Sequence, residues 1–125
     1  RQEFSMQMTT ALLIANPCDD EEDNMAMLCC HSEQGEMFLM SRYPDEDELE
    51  ITFGDVDEPS VLEGVKATLS PTRLLIEVSA NDADALNGHD DLEIFHCADA
   101  DERAEIEHTL QNILKGTGTY VSELG

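Results

Sequence analysis

Two groups of side chains in this sequence have the composition of a reactive or metal-binding centre. The first is Cys29, Cys30, His31, His96 and Cys97; the second is the abundant carboxylates, best placed around Asp82, Asp84 and Glu93. A structural zinc site needs Cys and His at short regular spacings, and no C-x-x-C or H-x-x-x-H pair occurs. In a strand, Cys29 and His31 share one face and Cys30 takes the other, which suits core thiols and edge histidines better than a ligand set. A calcium loop starting at Asp82 has Asp84 at its third position and Glu93 at its twelfth. It places Leu86 at the fifth and Asn87 where a glycine is required, so it fails twice. There is no G-x-S-x-G elbow and no glycine-rich loop ahead of a helix. The expectation is therefore no catalytic residue, no metal and no cofactor: a protein that is not an enzyme.

The dominant chemistry is charge. Asp and Glu number 29 against 6 Lys and Arg, a formal net charge of −23 on 125 residues. Such self-repulsion opposes a compact state, while the field it creates draws in cationic partners and repels nucleic acid and anionic membranes. Arg42, Lys66, Arg73, Arg103 and Lys115 are scattered singly, so no basic patch for nucleic acid exists. The acids are concentrated in runs: Asp19, Asp20, Glu21, Glu22 and Asp23; then Asp45, Glu46, Asp47 and Glu48 with Glu50; then Asp55, Asp57 and Glu58. These are the candidate partner-binding residues. The alternative is a uniformly solvated acidic surface.

The elements that must position these runs follow from apolar patterning. Leu, Ile, Val and Phe together number 29, above the range of disordered chains, in a length suited to one domain. Strands are predicted over Gln7–Asn16, Met25–Ser32, Glu36–Ser41, Leu49–Phe53, Val65–Leu69, Arg73–Ser79 and Leu92–His96. Pro17 is expected to cut the first of them. Glu33-Gln34-Gly35 reads as a hairpin loop, and Asn81–Leu86 as a single helical turn closed by Asn87-Gly88. The clearest helix starts at Asp99, with Glu102 completing a capping box. It carries Ile106, Leu110, Ile113 and Leu114 on one stripe and stops at Lys115-Gly116.

The predicted fold is α+β: a mostly antiparallel sheet of about six strands with one long C-terminal helix packed on a face. One domain spans 1–125, with 1–7 read as a tag remnant or disordered segment and 117–125 as a loose tail. No signal peptide is visible, the longest apolar run (Ala11–Ala15) is far short of a membrane span, and the cysteines show no disulfide framework. A cytoplasmic location is expected.

Several pieces of the second half carry a family resemblance. They are Glu63-Gly64-Val65, the strand Arg73-Leu74-Leu75-Ile76-Glu77-Val78, Ala83-Asp84-Ala85-Leu86, Leu92-Glu93-Ile94, and the ending Leu110-Gln111-Asn112-Ile113-Leu114. From Glu63 to Lys115 the chain resembles the immunity protein 10 family of bacterial polymorphic-toxin systems. Members more often show Tyr-Gly-Gly where this chain has Leu62-Glu63-Gly64. The resemblance implies a small cytoplasmic protein that binds and neutralises a cognate toxin. Charge adds that the toxin presents a basic surface, as a nuclease or nucleic-acid deaminase would. Two other functions fit an acidic α+β chain: a type III-like secretion chaperone, which would usually open on a long helix, and a DNA-mimic inhibitor of another nucleic-acid enzyme.

Overall fold

A computed structural model describes residues 6–54, 58–62, 64–86 and 88–124. The strands are β1 (Met6–Asp19), β2 (Met25–Ser32), β3 (Met37–Arg42), β4 (Leu49–Phe53), β5 (Ser60–Leu62), β6 (Val65–Leu69), β7 (Arg73–Glu77), β8 (Asp91–Phe95) and β9 (Gly118–Ser122). A 3-10 turn covers Ala80–Leu86, and one helix, α1, covers Ala100–Leu114. The sheet order is β5-β4-β3-β2-β1-β8-β7-β6-β9. Two antiparallel meanders, β1 to β5 and β6 to β8, are joined through β1, whose first residues run parallel to β8 (Met6↔Leu92 to Thr9↔Phe95). A second parallel pair, β6 with β9, forms one edge. The α+β class, the mostly antiparallel sheet and the long helix agree with the patterning, but among the described residues the sheet has nine strands rather than about six.

The two strands not predicted, β5 and β9, have a clear physical origin. β5 is three residues long, too short for alternation to register. β9 lies in the segment expected to be loose. It docks because Gly118 brings the chain close against β6: a Cβ there would overlap the carbonyl of Val65 and press on Leu114. Tyr120 then donates from its hydroxyl to Glu107 Oε2 at 2.8 Å, and the backbone of Glu123 donates to Leu69 at 2.7 Å. At the other terminus, Met6 and Gln7, placed by sequence in the tag or disordered segment, lie in β1 opposite Leu92 and Glu93.

β1 also departs from simple alternation. Thr10 pairs with Ser32 and Leu12 with His31, so Ala11 is an extra residue, a bulge that switches which parity faces the core. Met8 is buried before it, and Leu13 and Ala15 pack on the core after it. Leu12 and Ile14 are left outside, 52% and 43% exposed. A second irregularity lies between Asn16 and Asp19, so Pro17 disturbs the strand without ending it.

One apolar core is built from Leu28, Phe38, Met40, Ile51, Leu74, Ile76, Leu92 and Ile94 with the helix stripe. The capping box forms as predicted: the Asp99 carboxylate accepts from Glu102 N at 2.8 Å, and Glu102 Oε1 accepts from Asp99 N at 2.9 Å. Ile106, Leu110, Ile113 and Leu114 are all buried, so Leu110→Ala should destabilise the protein by about 2–5 kcal/mol, read from urea unfolding.

His96 joins β8 to α1 and is 5% exposed. Its Nε2 lies 3.2 Å from the Ser70 carbonyl, and its Nδ1 accepts from Ala98 N at 3.2 Å, an arrangement that requires a neutral ring protonated on Nε2. Burial lowers its pKa below the ordinary histidine value. The unfolded chain therefore binds a proton before the folded one on acidification. The His96 contribution to stability should be complete above about pH 6.5 and be lost as pH falls through the folded-state value. An NMR titration of its ring protons should give a midpoint below about 6.5.

Candidate partner-binding surface

The acidic runs are placed by strand register. β2 begins at Met25 and β3 ends at Arg42, and Ala26 pairs with Arg42. The β1–β2 turn and the β3–β4 loop therefore leave the same end of the sheet. The structure brings together Asp20, Glu21, Glu22 and Asp23 with Asp45, Glu46, Asp47 and Glu48, every one of them exposed. Between them lies an open cleft of about 680 Å³ lined by Asp23, Asn24, Tyr43, Pro44, Asp45 and Glu46.

Among the described residues, each loop is held by hydrogen bonds to backbone groups rather than by ion pairs. The Asp19 carbonyl accepts from Glu22 N at 3.0 Å and Asn24 N at 2.8 Å, and its carboxylate accepts from Glu21 N at 3.1 Å. Asp23 and Asn24 both take positive φ (55° and 64°), the left-handed conformation that Asp and Asn tolerate better than most residues. In the second loop Glu46 N donates to Tyr43 O at 3.1 Å.

Arg42 ties this second loop to the helix. Its Nε donates to Glu46 O at 2.9 Å, and its guanidinium also donates to the carbonyls of Asn112 (3.3 Å) and Lys115 at the end of α1. The cation satisfies two of the carbonyls at the negative end of the helix, while Thr117 serves those of Ile113 and Leu114. Arg42 is therefore directed at backbone oxygens and leaves the neighbouring carboxylates without a counter-charge from it. Asn112 Nδ2 donates to Pro17 O at 2.8 Å, fixing the same helix end against β1. The sequence shows Arg42 only as an isolated cation; its role depends on a helix end 70 residues away.

Other predicted positions lie elsewhere. Glu50 is half-buried on β4 opposite Ser41. Glu58 is exposed ahead of β5, at the opposite end of the sheet, where Gly54 N donates to Met37 O. Asp55 and Asp57 lie outside the described residues.

The cysteine and histidine residues also separate. Cys30 is buried in the core, its thiol pushed up to about 12 by burial and the neighbouring Cys29. Cys29 Sγ lies 3.3 Å from His31 Nε2 on the outer face, as alternation predicts. Burial raises the Cys29 pKa, which favours the thiol over an activated thiolate. His96 and Cys97 lie at the far end of β8. Among the described residues, no three His, Cys, Asp or Glu side chains gather where they could hold a metal, and no helix is long and apolar enough to cross a membrane.

Replacing Arg42 by Met should destabilise the protein by about 1.5–3 kcal/mol, because several hydrogen bonds from a charged group are lost. Lys should rescue little, since one ammonium cannot reproduce the planar fork. Urea unfolding, with hydrogen exchange across residues 43–48 and the last turn of α1, checks both statements. Comparison with protein-family models, with curated proteins and with solved structures finds no match to this chain.

Proposed function

We propose that the protein is a non-enzymatic, stoichiometric inhibitor: an immunity protein that binds a cognate bacterial toxin in the cytoplasm and occludes a basic surface on it. The observation that supports this reading best is the convergence of two exposed acidic loops at one end of the sheet, with the nearest arginine directed at backbone carbonyls. Eight exposed carboxylates in adjacent loops present anionic oxygens as a nucleic-acid backbone does. A toxin that grips phosphates with a cationic cleft meets in them a competitor for its own substrate. A nuclease or a nucleic-acid deaminase has such a cleft.

The mechanism is electrostatic at long range and local at contact. Uncompensated loops accelerate encounter, and the backbone hydrogen bonds that hold them reduce the ordering cost of binding. A DNA-mimic inhibitor would use the same loops by the same physics; the neighbouring gene separates it from an immunity protein, because a toxin gene lies beside its immunity gene.

Inhibition should titrate at a fixed molar ratio with the toxin encoded beside this protein, and association should slow markedly between 0.01 M and 0.1 M salt, as the Debye length falls from about 30 Å to about 10 Å. The combined change Asp45→Asn, Glu46→Gln, Asp47→Asn and Glu48→Gln removes four charges with little change of shape and should lower the low-salt association rate by about tenfold or more. Unaltered binding at both salt concentrations would assign these loops to solubility alone.

A further inference from the structure

The side of β1 that faces away from β2 is only partly covered. β8 pairs with it over Met6–Thr9 and then turns away at His96 towards α1. From Thr10 to Ala15, among the described residues, no strand and no hydrogen bond from loop or helix engages that side of β1. Beside it runs a groove of about 560 Å³ whose opposite wall is the first half of α1, carrying the exposed carboxylates Asp101, Glu102 and Glu105.

Strand edges in soluble proteins are blunted by charge, by Pro or by cover. Here the open stretch is apolar. No charged residue occurs from Met6 to Cys18, although Asp, Glu, Lys and Arg make up 28% of the chain. The bulge at Ala11 turns Leu12 and Ile14 outward beside this edge, two of the three exposed large apolar side chains among the described residues. An unpaired backbone, an apolar lip and an acidic wall thus occur together.

We propose that this edge accepts an extended segment of a partner protein, in which basic and apolar residues alternate, as an added strand beside Thr10–Ala15. The open run spans about 20 Å, room for roughly six residues of the incoming strand. Side chains on one face of that strand lie beside Leu12 and Ile14 and are apolar. Those on the other face project towards the helix wall and are Lys or Arg, because Asp101, Glu102 and Glu105 stand there. A second copy of this chain is disfavoured as the occupant, since it would bring another −23 charge against the same acidic wall. This surface is distinct from the two acidic loops and does not depend on the partner being a toxin.

The test uses the intact protein and synthetic peptides. A capped peptide of about seven alternating Val and Lys residues should bind and slow amide exchange at Thr10–Ala15. The same peptide N-methylated along one edge keeps its charge and side chains but cannot pair, and should bind about tenfold or more weakly. A Val–Glu peptide should not bind. The combined Leu12→Lys and Ile14→Lys variant, altered only at exposed positions, should lose binding, while the variant neutralised at residues 45–48 keeps it. Equal binding of the methylated and unmethylated peptides, or protection appearing only at the acidic loops, would overturn the proposal. Peptide pairing at β1 without inhibition of any toxin would retain the edge and remove the immunity function.

Discussion

Burial of one face of α1 against the sheet is the interaction on which the rest of the molecule depends. A chain of this charge repels itself at every radius, and apolar burial is the term large enough to offset that repulsion. Ile106, Leu110, Ile113 and Leu114 provide it from a single element. The consequences reach both ends of the helix. At its start the capping box fixes Asp99 and Glu102 beside the groove along β1. At its end Arg42 and Asn112 attach the β3–β4 loop and Pro17. Both candidate surfaces are thus held in place by the seating of one helix.

Much of this was readable from residue order. Alternation marks β2, β4, β6 and β7 with good boundaries, and the capping box, stripe and glycine stop define α1, because each of these signals is local. Where two distant segments decide the outcome, the reading fails. β9 depends on Gly118 fitting beneath Val65, a contact made across the whole second meander. The exposure of Leu12 and Ile14 depends on a single extra residue in the pairing with β2, and a bulge leaves no mark on composition.

The acidic runs were legible as runs and not as a surface. Sequence places Asp19–Asp23 and Asp45–Glu48 in loops but carries no sign that the two loops share one end of the sheet. That follows from β2 and β3 forming a hairpin of matched length, so that the turn before one strand meets the turn after the other. The same logic sends Glu58 to the opposite end. The neighbouring arginine was equally opaque, since its partners are carbonyls at the end of a helix that closes 70 residues later.

The two parallel pairings carry a consequence for how the chain assembles. β1 to β5 are joined by successive hairpins and can zip up as the chain leaves the ribosome. The pairing of Met6 with Leu92 and of Val65 with Gly118 must wait until nearly the whole chain exists. Loops of that length are costly to close and close late. During that interval the first strand has an open flank along its whole length, in the most apolar stretch of a chain otherwise dense in like charge. The acidic run Asp19–Asp23 that follows it then keeps unfinished copies apart, a protection that acts before any partner is met.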